Sequence, residues 1–177
     1  MADTIKYVQK KQATIYCKVK DQAIGLEIAE MAKAPNTPDP HIRTEGRISL
    51  RFFNTTLPKE THVRMCLEPW EASELADKIR EALQAKEKAE LKLAPHKYIR
   101  KNRESKQAEE TLTTVAVEKW IREQKSGYAI KVWRHSNTSK PIGHNVSMNA
   151  TLFRFAAKFL DYLAISQSWV EVPLATQ

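Results

Sequence analysis

Residues 46–54 read GRISLRFFN and residues 127–137 read GYAIKVWRHSN. Each opens on one of the chain's four glycines, alternates apolar with polar or basic residues and closes on a polar turn. A period of two marks a strand with one face on a core and one face open. Ile48, Leu50 and Phe52 take the inward face of the first stretch, and Ile130 and Val132 that of the second. The outward positions of both are cationic and aromatic.

Reading outward from these stretches, TIYCKV (14–19) sets Ile15, Cys17 and Val19 against Tyr16 and Lys18, and AIGLEIAEMA (23–32) keeps Ile24, Leu26 and Ile28 at period two. APNTPDPHIRTE, with three prolines, is a loop. HVRMCLE (62–68) turns Val63, Met65 and Leu67 inward. From Glu68 the apolar spacing becomes helical at Trp70, Leu75, Ile79, Ala82 and Leu83. Acidic residues and Pro69 suit the first turn, and the helix is expected to reach about Leu93, before Pro95.

Residues 94–110, including HKYIRKNRESKQAEE, read as a basic linker, with KYIR (97–100) as an alternative fourth strand. TLTTVAVEKWI (111–121), GYAIKVWRHSN and HNVSMNAT (144–151) are three further strands. TLFRFAAKFLDYLAIS (151–166) is a second amphipathic helix, and SWVEVPLATQ is a short strand or a tail.

The halves then overlay. Ile48 and Leu50 fall on Ile130 and Val132 at an offset of 82, while Val63 and Met65 fall on Val146 and Met148, and Asn54-Thr55 on Asn137-Thr138, at 83. So long a period implies a duplicated unit rather than a solenoid. The expected fold is α+β, with two tandem antiparallel β-meander-plus-helix repeats at 1–93 and 111–177 and the helices packed on one sheet face. Together they are expected to form one pseudo-symmetric domain.

That leaves an open face. In the first half it carries Tyr16, Lys18, Arg47, Ser49, Arg51, Phe53 and Arg64, and in the second Glu118, Trp120, Lys131, Trp133, His135, Ser147 and Asn149. Aromatic side chains offer stacking platforms to unpaired bases, and cations attract phosphates. The chain carries a net charge of +8, and residues 86–106 hold eight Lys/Arg against three acids. Lys97, Arg100, Lys101 and Arg103 of the linker would serve as a phosphate-binding arm. The partner expected is single-stranded DNA or RNA, with DNA favoured. The competing reading makes the same face a protein-interaction or oligomer surface.

A sheet meander followed by a helix, repeated across residues 14–165 with a basic, aromatic outer face, resembles the Whirly and PUR-type single-stranded nucleic-acid-binding proteins and the related transcriptional-coactivator fold. The resemblance implies binding of single strands on the sheets and assembly into a homodimer or higher oligomer.

Other classes find little in the sequence. No GxxxxGKS/T, HExxH or GxSxG motif occurs, so no enzymatic role and no cofactor is expected. His135 and His144 lack a nearby carboxylate or thiol partner and make a poor metal set. Cys17 and Cys66 lie in alternating segments and read as buried free thiols. No apolar run approaches the roughly 18 residues of a spanning helix, so no membrane is expected as a partner. The expected setting is cytoplasmic, nucleoid-associated if the ligand is DNA.

Overall fold

The protein is described by a computed structural model covering residues 7–33, 43–44, 46–101, 106–168 and 170–171. β1 (Tyr7–Val19), β2 (Gln22–Lys33), the short β3 (Arg43–Thr44), β4 (Arg47–Asn54) and β5 (Val63–Leu67) precede helix α1 (Pro69–Gln84). β6 (Ala89–Lys92), β7 (His96–Lys101), β8 (Ala108–Arg122), β9 (Lys125–Ser136) and β10 (Ile142–Met148) precede α2 (Ala150–Gln167), and β11 (Val170–Glu171) follows.

The first sheet runs β1-β2-β4-β5, every pair antiparallel. The second runs β10-β9-β8, with β6 and β7 both paired to β8. β11 pairs with β3 in a small ribbon. Each half is therefore a meander of strands followed by a helix, as the alternation predicts. The strand expected at 47–54 has those same bounds.

Two boundaries differ from expectation. α1 ends at Gln84 rather than near Leu93, because the helical positions beyond Leu83 fall on Lys86, Glu87 and Glu90. Leu91 and Leu93 are two apart instead, and Leu93 is buried as part of an extended segment whose N–H donates to the Val115 carbonyl. The basic linker is also largely a strand. β6 lies beside residues 116–119 of β8 and β7 beside 108–113, one edge strand broken near Pro95, which has no N–H to give a ladder. KYIR is thus the fourth strand of its sheet. HNVSMNAT ends earlier than expected as well, since Asn149 caps α2 by accepting from Leu152 N–H at 2.9 Å.

The inward faces meet in one core. Leu26, Ile28, Ile48, Leu50, Phe52, Val63 and Met65 of the first sheet cluster with Val115, Val117, Ile130, Val132 and Val146 of the second. α1 adds Leu75 and Ile79, and α2 adds Phe153, Leu160 and Leu163. The helices are shared between the halves: α1 packs on β8 and β6, and α2 on β2 and β4 as well as on β9. Tyr128 of β9 stacks on Phe153 with centroids 4.8 Å apart. Arg80 of α1 pairs with Asp161 of α2, and its guanidinium is held charged by that contact. His144, buried on β10, donates from Nε2 to the Thr61 carbonyl at 2.6 Å and so ties the second sheet to the first half.

Candidate nucleic-acid interface

Because both sheets turn their inner faces to one core, their outer faces point away from it. The open residues of the two halves therefore form separate patches rather than one continuous surface.

On the first sheet, strand register arranges the outer side chains in rows. Tyr16, Gly25 and Phe53 lie side by side on β1, β2 and β4, and a Cβ placed on Gly25 would fall 2.3 Å from the Phe53 ring. Phe53 is consequently a roof over Gly25, only 8% exposed, with Tyr16 edge-on at 5.9 Å and His62 at 5.7 Å. Burial, and after it the nearby Arg51 guanidinium, lower the His62 pKa, which favours the neutral ring. Phe53 is thus not the exposed stacking platform that alternation suggests. Tyr16, 54% exposed, is.

The next row is Thr14, Glu27, Arg51 and Arg64. Arg51 lies over the Phe53 ring at 4.9 Å and pairs with the buried Glu27 at 2.8 Å. Its Nε is buried without a partner. Arg64 is exposed and has no ion-pair partner among the described residues. Ser49 and Cys66 follow, and burial pushes the Cys66 thiol up, so it is a protonated, largely apolar wall. Arg47 then pairs with Glu68.

At this end the face runs into a groove of about 660 Å³ where the sheet edge meets β7. Arg47, Arg64 and Cys66 line one side, and Pro95, His96, Lys97 and Tyr98 the other. His96 Nε2 donates to the buried Glu71 carboxylate at 2.7 Å, and the other Glu71 oxygen accepts from Glu68 N–H at 3.0 Å, which fixes the start of α1. The structure thus brings together Arg47, Arg64 and Lys97, three of the residues singled out by sequence.

The second sheet differs. Lys131 sits between Glu90 and Glu118, each at 2.9 Å. Burial opposes its charge, but hydrogen bonds to both carboxylates outweigh that and raise its pKa; the Lys131 contact in turn holds Glu90 below the usual carboxylate range. Trp133 is half-buried, with the Lys92 ammonium 5.3 Å from its ring. Trp120 roofs Gly127, where a Cβ would lie 2.3 Å from the indole, and its Nε1 is buried without a partner. His135 is exposed beside Leu112 and Lys97 along the strand ladder.

Of the remaining candidates, Lys18, Arg100 and Lys101 are exposed with no ion pair among the described residues, while Lys97 pairs with Glu110 at 2.9 Å. Arg103 lies outside the described residues. Sequence reasoning missed His62, Glu27, Glu68, Tyr98 and His96. The alternation of HKYIRK was the available signal for the last two; the carboxylates become visible only once register is known.

Among the described residues, no three His, Cys, Asp or Glu side chains are grouped to hold a metal ion, and no helix is long and apolar enough to cross a membrane. Four of the large apolar side chains left exposed lie together on α2, where Phe155 stacks on Phe159 at 5.9 Å and Leu152, Tyr162 and Ile165 are exposed nearby.

No family model matches the chain, and no curated protein matches it. Solved structures do. The crystal structure of WHY1 from Arabidopsis thaliana is similar over 92% of this chain and 86% of that one, at 9% identity and a TM-score of 0.56. The plant transcriptional regulator PBF-2 is similar over 92% of this chain and 82% of that one, at 11% identity and a TM-score of 0.55. Likeness at this identity establishes the fold, which is Whirly-like α+β.

Proposed function

We propose that a chain with this fold is a non-catalytic single-stranded nucleic-acid-binding protein, favouring DNA over RNA, whose binding surface is the outer face of the first sheet and the groove at its end. The observation that carries the reading is the coexistence on one sheet face of an exposed Tyr16 and an exposed Arg64 with no ion pair among the described residues, with a groove lined by Arg64 at the end of the face away from Tyr16. Stacking on Tyr16 and phosphate contact at Arg64, Lys18 and Arg100 need no particular sequence, so broad specificity is expected. A transcriptional regulator among the structural relatives is compatible with DNA as the ligand. The second sheet is a weaker candidate, because Lys131 is already neutralised by two carboxylates.

Fluorescence anisotropy of labelled oligo(dT), the matching duplex and oligo(rU) tests this. Binding should be tightest for oligo(dT) and weaken with salt. Absence of single-strand binding at low salt, or a preference for duplex, sinks the reading. Intrinsic tryptophan emission is a poor reporter, since no tryptophan among the described residues lies in a strand of the first sheet.

Assembly into a homodimer or higher oligomer is the second part of the reading, and the α2 stripe favours the helix, not the sheet, as the contact. Phe155→Glu should then lower the sedimentation coefficient of the free protein, whereas Tyr16→Ala should leave it unchanged. The reverse pattern would return the sheet face to the role of an interaction surface.

A further inference from the structure

The described histidines differ in what holds them. His96 Nε2 donates to Glu71 at 2.7 Å and His144 Nε2 to the Thr61 carbonyl at 2.6 Å, so both rings are tied into the fold. His62 is on the proposed binding face, and no hydrogen bond or ion pair engages its ring among the described residues. It directly precedes β5, and the register that sets Phe52 opposite Val63 brings it beside Phe53. Tyr16, Phe53 and His62 thus form a row of three rings, with successive centroids 5.9 and 5.7 Å apart, that crosses the outer face from β1 to the β5 edge. Around His62 stand Arg51 of β4, His144 of β10, Lys59 and, as the one acid, Glu60. Arg51 is committed to Glu27, but Lys59 is exposed and has no ion pair among the described residues. Arg64 lies two residues along the same face of the edge strand, about 7 Å away.

A neutral imidazole is the form this surround favours while the face is empty, because a further positive charge beside Arg51 and Lys59 is repelled. A phosphate brings the opposite charge and reverses that preference. Resting on the single-strand reading above, we infer that His62 is a phosphate ligand of this face, seated with Lys59 and Arg64 at the β5 edge, and that it binds as the imidazolium, so that a proton passes from the buffer to its ring when a strand binds. The row then divides its work: a base stacks on the exposed Tyr16, Phe53 roofs Gly25 between the two ends, and the backbone is held at the His62 end. Both ring nitrogens of an imidazolium donate, so His62 can meet a phosphate oxygen without giving up any hydrogen bond within the described fold. Affinity then rises as pH falls through the usual histidine range, since the bound state holds a proton that the free state lacks.

The test measures anisotropy of labelled oligo(dT) between pH 6 and 8 at fixed salt, together with the His62 imidazole resonance by NMR in free and bound wild-type protein. Wild-type affinity should rise about threefold to tenfold as pH falls across that range, tenfold per pH unit being the ceiling for one proton. The midpoint of the His62 titration should move up by about one unit on binding. His62→Asn, checked by circular dichroism for an unchanged fold, should flatten the pH dependence. Tyr16→Ala should weaken binding alike at every pH and keep the slope. A wild-type affinity independent of pH, a slope that survives in His62→Asn, or a His62 midpoint that ignores the ligand overturns the histidine assignment and leaves single-strand binding standing. Failure to bind oligo(dT) at low salt at any pH overturns both.

Discussion

Arg64→Gln separates the surface drawn by the structure from the one drawn by the sequence. Single-strand affinity falls with salt at a slope of about −0.7 per phosphate neutralised. If Lys18, Arg47, Arg51, Arg64, Lys97, Arg100, Lys101, Arg103 and Lys131 all met phosphate, the slope of log K against log salt would be about −6. Arg47, Arg51, Lys97 and Lys131 are already paired with Glu68, Glu27, Glu110 and the Glu90/Glu118 couple, and exchanging one carboxylate for a phosphate releases few counterions. Lys18, Arg64, Arg100, Lys101 and Arg103 remain, for a slope of about −3.5. Removing Arg64 should flatten that slope by about 0.7 and weaken oligo(dT) binding about fivefold at 0.1 M salt. Stability should stay within about 0.5 kcal/mol, because Arg64 is exposed and faces Arg51 across the strand pair, a like-charge contact that its loss relieves. The assay is an anisotropy titration at four or more salt concentrations, with a urea melt as control. A wild-type slope near −6, or an Arg64→Gln slope equal to wild type, refutes the reasoning.

Further outcomes follow from the same contacts. Arg51→Gln strips the cation from a buried Glu27 and should cost about 1–3 kcal/mol in urea unfolding, while changing the salt slope less than Arg64→Gln does. Phe53→Ala uncovers Gly25 and should destabilise by about 2–4 kcal/mol, whereas Tyr16→Ala should cost under about 0.5 kcal/mol in stability and about 1–3 kcal/mol in oligonucleotide binding. Glu90 has a lowered pKa in the folded state, so its contribution is present above the ordinary carboxylate value and lost as pH falls through the folded one. Lys131 is raised, so its contribution is lost only as pH climbs past the usual lysine range. The difference in Tm between wild type and Glu90→Gln should therefore be flat from about pH 6 to 9 and shrink below about pH 4.5.

The inward residues were readable from sequence because period-two alternation reports burial directly: Ile48, Leu50, Phe52, Val63, Met65 and Leu67 all lie in the core. The end of α1 was misread because Ala, Glu, Lys and Leu suit a helix by propensity, while the pull of the β8 edge on Leu91 and Leu93 is tertiary. Which side chains face outward was also legible. What they touch was not, since Lys131 meets Glu90 from 41 residues away and Arg51 meets Glu27 only through the β2–β4 register. Gly25 and Gly127 were the overlooked clue, because a glycine inside an alternating strand signals that something approaches closely. In both places it is an aromatic ring, Phe53 or Trp120, that alternation alone presents as a stacking platform on the open face.

The crossed placement of the helices has a consequence for dissection of the chain. α1 belongs by sequence to the first half yet packs on β8 and β6, and α2 belongs to the second half yet packs on β2 and β4. A cut in the exposed segment at 86–88 would leave each fragment holding a lid for the other's sheet and an unfinished lid for its own. Neither piece should be soluble alone, and the two expressed together should reassemble. That makes the chain a candidate split reporter whose signal depends on two halves meeting.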